Sequence, residues 1–133
     1  MKRIETADAP TPAGHYSQAI VHNGVVFVSG QLPLCPSTGS LVGDDIEDQT
    51  RKTLANVQAV LESAGSSLEQ ILKVTVFVSD IGLWGRVNAT YADVMGPNRP
   101  ARAVVPTRDL AKGALIEIEC VAATDGAPEL AGG

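Results

Sequence analysis

Pro100-Ala101-Arg102-Ala103-Val104-Val105-Pro106 and, just downstream, Leu115-Ile116-Glu117-Ile118-Glu119-Cys120-Val121 decide how this chain is read. Both segments are rich in β-branched residues and alternate in polarity, so both are predicted strands. The turn-forming run from Asp109 to Gly113 lies between them and predicts that they pair antiparallel. On that pairing Arg102 and Glu117 occupy adjoining strands, where two outcomes are open. They neutralise each other as an ordinary cross-strand ion pair, or they divide the labour of a site. In the second case the guanidinium holds a ligand carboxylate while Glu117 handles a proton or a water.

Upstream of this stretch, Gly96-Pro97 closes a predicted helix capped by Ser79-Asp80, with Trp84, Val87, Asn88, Tyr91 and Val94 or Met95 on its inner stripe. Gly82 and Gly85 each weaken that helix by roughly 1 kcal/mol relative to Ala, so packing has to hold it. Ile71 to Ser79 alternates as a strand, with Val74, Val76 and Val78 on one side and Lys73, Thr75 and Phe77 on the other. The clearest helix is Asp44 to Ala64, where Ile46, Thr50, Leu54, Val57, Leu61 and Ala64 form one stripe. Asp44 or Asp45 caps it and Gly65 stops it. Tyr16 to Val21 and Val25 to Ser29 are strands joined through Asn23-Gly24, the strongest short hairpin signal. Residues 1–9 and 125–133 read as flexible ends of one domain spanning 1–133.

The order β-β-α-β-α-β-β predicts an α+β fold, a single mixed sheet with both helices on one face. The other face would carry Thr75, Phe77 and the outward positions near Val121. That surface is too apolar for open water, so another copy of the chain is the expected cover.

A formal net charge of -5 argues against nucleic-acid phosphate as the main partner. Cys35 and Cys120 are too few and too far apart for a disulfide framework. His15 and His22 have no Cys or carboxylate at metal-ligand spacing, so no metal is expected. The N-terminus turns polar at once, and no apolar run approaches the roughly 18 residues a membrane helix needs. The expectation is a cytoplasmic protein without membrane contact.

Four blocks in order resemble the RidA (YjgF) family of imine and enamine deaminases, over nearly the whole chain from Pro10 to Ala123. They are Gly14-His15-Tyr16-Ser17-Gln18-Ala19, Val28-Ser29-Gly30-Gln31, Val87-Asn88-Ala89-Thr90-Tyr91, and the two segments carrying Arg102 and Glu117. The resemblance implies a chorismate-mutase-like fold, assembled as a homotrimer with a cleft at each subunit interface and using no cofactor. It assigns the substrate-carboxylate arginine to Arg102 and the glutamate that orients or activates water to Glu117. Tyr16, Ser29, Gly30, Asn88 and the backbone carbonyl of Val104 are the implied substrate contacts. A buried Tyr hydroxyl or Asn amide can instead simply satisfy backbone groups, and that alternative stays open for Tyr16 and Asn88. His15, Ala103, Val104 and Trp84 depart from the family pattern, which leaves the size of the substrate open.

The implied reaction is hydrolysis of a 2-enamine or 2-imine, such as 2-aminoacrylate, to a 2-keto acid and ammonia. Glu119 projects from the same strand face as Glu117, so one carboxyl pKa should rise unless a cation intervenes; Lys73 is the candidate partner for Glu119. Two other readings remain. One is a non-catalytic binder of small carboxylates or a chaperone-like surface. The other is a pathway-dedicated deaminase or cyclisation helper for a bulkier imine.

Overall fold

Asn23 and Gly24 both adopt positive φ, 51° and 76°, and so form the tight two-residue turn that the sequence dictates. The turn joins β2 (Ala19–His22) to β3 (Val25–Gln31), with His22 facing Val25 in register. The coordinates are a computed structural model that describes residues 1–125. The tail expected to fray from 125 onward therefore lies, beyond its first residue, outside the described residues. The first expected strand starts later than Tyr16. The amide of Tyr16 instead donates to the Gly14 carbonyl at 3.1 Å, which turns the chain and puts the Tyr16 ring on a loop.

The expected flexible lead-in over 1–9 is corrected. Lys2–Ile4 is a strand, β1, paired antiparallel with β2, and Ile4 and Ala9 are buried. Gln18 anchors the segment that follows. Its amide accepts from the Thr6 N–H at 2.7 Å and donates to the carbonyls of Thr6, Ala9 and Pro10.

Helix α1 (Ile46–Ser63) is capped by Asp45, whose carboxylate accepts from the amides of Glu47 and Asp48. Ile46, Leu54, Val57, Val60 and Leu61 are at most 1% exposed. Each such side chain contributes about 1.5–3 kcal/mol of burial, so the stripe rather than helix propensity fixes the helix. Helix α2 (Trp84–Met95) follows β4 (Ile71–Val78). Asp80 caps a short 3₁₀ turn, Ile81–Leu83, rather than α2 itself. The helix thus begins at Trp84, which is 44% exposed instead of on the inner stripe, and Val87, Tyr91 and Met95 are buried.

The remaining strands are β5 (Ala101–Pro106) and β6 (Ile116–Ala123). The sheet order is β1-β2-β3-β6-β4-β5, with β4 and β5 parallel and the other pairs antiparallel. The mixed sheet with two helices is as expected. The antiparallel pairing of the Arg102 and Glu117 strands is not. β6 inserts between β3 and β4, and β5 lies at the sheet edge beyond β4. A turn-rich connection only permits pairing; the central slot goes to β6, whose Ile116, Ile118, Cys120 and Ala122 are all buried. The chain of β4 also departs from strict alternation. A register shift between Ile71 and Lys73 leaves Leu72 52% exposed.

Candidate functional site

A second register shift shapes the middle of the sheet. Val28 faces Cys120, yet Gln31 faces Ile118, so β3 carries one extra residue at Ser29-Gly30. The bulge returns Gln31 to the buried face and presses Gly30 against Glu117. A Cβ on Gly30 would lie 3.0 Å from Glu117 Cδ and overlap its Oε2. Only glycine leaves room for the carboxylate where it stands.

Tyr16, Ser29, Gly30, Leu32, Ala111 and Glu117 line one pocket of about 330 Å³. Ser29 is oriented by donating its hydroxyl to the Ser17 carbonyl at 2.6 Å, which leaves oxygen lone pairs for a ligand donor. The Tyr16 ring is 53% exposed, so it is a rim group and not a buried satisfier of backbone. Burial first, and the Glu119 charge on the same face second, push the Glu117 carboxyl above the usual carboxylate range. Lys73 does not offset this. Glu119 stands opposite Thr75, and no ion pair joins it to Lys73. Tyr16, Gly30, Leu32 and Ala111 also border a larger pocket of about 460 Å³, walled further by Leu34 and Pro36.

Arg102 belongs to a different pocket, of about 500 Å³, with Asn88, Tyr91, Asn98 and Arg99. Among the described residues no carboxylate pairs with it; the ion pairs found are Arg51–Asp93 and Arg86–Glu47. Its guanidinium carbon instead lies 4.8 Å from the centroid of the Tyr91 ring. Val104 stands two residues along, half-buried on the same side of β5 and opposite Val76.

Register places these two groups of residues on opposite faces. Arg102 faces Val74, which points into the helix-side core, whereas Glu117 faces Phe77 on the other side. The structure therefore gathers Tyr16, Ser29, Gly30 and Glu117 in one place and Asn88 with Arg102 in another, and does not join them within one copy. The helix-free face is apolar where the sequence said it would be. Phe27 is 49% exposed and Val105 37% exposed there, beside half-buried Thr75, Phe77 and Val121.

Sequence reading missed Leu32 and Ala111, for which no signal exists, and treated Tyr91 as core alone. The spacing of Tyr91 three residues after Asn88 puts both on one helix face and was the available clue. Among the described residues no three metal-ligating side chains cluster, and no helix is long and apolar enough to cross a membrane.

The family model described as Endoribonuclease L-PSP matches residues 6–124. A RutC family protein of Pyrococcus horikoshii is 46% identical over 119 residues, covering 90% of this chain and 94% of the relative. Among solved structures, the Rid family protein YyfA of Yersinia pestis superposes with a TM-score of 0.89 at 47% identity, over 92% of this chain and 98% of that one. Escherichia coli TdcF with bound serine gives a TM-score of 0.88 at 38% identity, over 94% of this chain and 100% of that one.

Proposed function

The chain belongs to the RidA (YjgF) family, and from that premise we propose that it is a hydrolytic deaminase of reactive 2-enamines and 2-imines of the 2-aminoacrylate type. The products are a 2-keto acid and ammonia. The observation that carries the reading is the Arg102 guanidinium, which lines an open pocket and, among the described residues, has no carboxylate partner. Its fork suits bidentate binding of a ligand carboxylate. The bound serine of the TdcF relative supports the same ligand chemistry, since serine carries a carboxylate next to an amino-bearing carbon.

The working site forms where the Arg102 face of one copy meets the Glu117 pocket of another, in the homotrimer that the family resemblance implies. The apolar helix-free face supports such an assembly. Arg102 and Asn88 fix the substrate carboxylate, and with it the imine carbon. Glu117 takes a proton from a water as the water oxygen bonds to that carbon and passes it to the nitrogen, giving a neutral carbinolamine. Glu117 then carries the carbinolamine hydroxyl proton to the nitrogen as the carbon–nitrogen bond breaks, so the oxygen becomes the keto group and ammonia leaves. An enamine enters the same sequence after tautomerising to the imine. The raised pKa of Glu117 suits this alternation between base and acid.

A bulkier imine is favoured by one observation, the 460 Å³ pocket that continues from Tyr16 and Gly30 past Leu32 and Leu34. A panel of 2-imino acids with small and large side chains, generated in place by an amino acid oxidase, separates the two substrate ranges by ammonia release. The central test uses the same assay. Arg102→Ala should lower the acceleration by about 10²-fold or more, given two charge-assisted bonds lost, while light scattering shows assembly unchanged. Turnover like that of the unaltered protein would overturn the assignment.

A further inference from the structure

We propose that Tyr91 is a positioning residue, whose ring holds the Arg102 guanidinium in place while leaving its N–H donors free for the ligand carboxylate. The inference rests on the deaminase reading of Arg102 given above. Tyr91 is 6% exposed on α2, and its neighbours one turn either way, Val87 and Met95, are each 2% exposed. The ring is therefore fixed by packing, and the guanidinium is stationed 4.8 Å from its centroid. A carboxylate in that position would also anchor Arg102, but it would take N–H donors and cancel the charge that the ligand needs. An aromatic face attracts the cation through its quadrupole and uses no donor. The hydroxyl is not part of this contact. It is buried and has no hydrogen-bond partner among the described residues. Burial raises the phenol pKa, with Arg102 opposing, so the group stays neutral.

The ring and the hydroxyl make opposite predictions. Tyr91→Phe keeps the face and should hold kcat/KM within about 2-fold. Tyr91→Leu removes the face and should raise KM by roughly 2- to 30-fold, the range of cation–π attraction from exposed to desolvated sites, with kcat little changed. Progressive fluorination of phenylalanine at position 91 tests the same point with hardly any change of shape. Each added fluorine drains the ring face, so KM should climb stepwise at constant melting temperature. That series decides the matter even where Tyr91→Leu fails to fold. A flat KM across the series overturns the inference, as does a Tyr91→Phe variant as impaired as Tyr91→Leu. Arg102→Ala run alongside separates the two levels. If Arg102→Ala is inactive and the series is flat, only the role of Tyr91 falls. If Arg102→Ala is fully active, the deaminase reading falls and the role of Tyr91 falls with it.

Discussion

Replacing Gly30 by alanine is the sharpest probe of the Glu117 pocket, because it adds one methyl group at a place already filled. The new Cβ would sit 3.0 Å from Glu117 Cδ and 3.3 Å from Cγ, inside the 3.4–4 Å of ordinary contact, and would overlap Oε2. The atom in the way is the end of a flexible side chain, so the carboxylate swings aside and the backbone stays put. A displaced rotamer costs about 0.5–1.5 kcal/mol. Gly30 has no positive φ, so alanine fits the backbone, and the loss of unfolded-chain freedom offsets about 0.4–1 kcal/mol. The two nearly cancel, and for a chain of this size the melting temperature should move by no more than about 3 °C. Activity should respond very differently. A carboxylate moved by on the order of 1 Å no longer holds the water in line, and such a displacement can lower the rate by about 10²-fold. Gly30→Ala should therefore be folded and nearly inactive, measured by ammonia release and by calorimetric melting of the same sample. Activity within about 3-fold of the parent would refute the claim that the position of Glu117 carries the chemistry. A collapse in melting temperature would refute the claim that the carboxylate is what gives way.

The remaining predictions concern charge and assembly. Glu117 must be ionised to take a proton, and its pKa is raised, so activity should fall with decreasing pH at a midpoint above the usual carboxylate range. Glu119→Gln removes the secondary cause and should move that midpoint down, though not all the way, because burial persists; an unmoved midpoint contradicts the coupling. By the same linkage the fold binds a proton more tightly than the unfolded chain at Glu117, so stability declines as pH rises through the raised pKa. Co-expressing Arg102→Ala with Glu117→Ala copies should restore about a quarter of the sites, since one interface in four pairs an intact arginine with an intact glutamate. Recovery of nothing at all would place both groups in one copy.

Local chemistry was legible and long-range placement was not. Asn23-Gly24, the Asp45 cap and the α1 stripe are each fixed by residues close in sequence, and each folds as read. The pairing of β5 with β6 failed because sheet order is settled by which strand is most deeply buried, and the turn between two strands carries little of that information. β1 was unreadable for another reason. Lys2–Ile4 is three residues long with a single buried side chain, too short for any period to show. The candidate site divides the same way. Tyr16, Ser29, Gly30, Asn88, Arg102 and Glu117 were singled out through four sequence blocks, but their grouping depends on the bulge at Ser29-Gly30 and on face parity across non-adjacent strands. Neither leaves a periodic trace.

The misread pairing has a chemical consequence. Had β5 and β6 been neighbours with Arg102 opposite Glu117, the two Cβ atoms would lie about 4.5–5.5 Å apart and the charges would meet. The arginine would lose donors to its own chain, and the glutamate would have its pKa lowered into the range where it is a weak base. The observed register prevents this twice over. It puts β4 between the two strands, and it sets Arg102 against Val74 but Glu117 against Phe77, an odd offset that sends the side chains to opposite faces. Arg102 then rests on an aromatic ring and Glu117 beside a second carboxylate, so among the described residues neither forms an ion pair with an opposite charge. On the proposed function, separation within one copy is what keeps both groups reactive, and contact between copies is what would bring them to a common substrate.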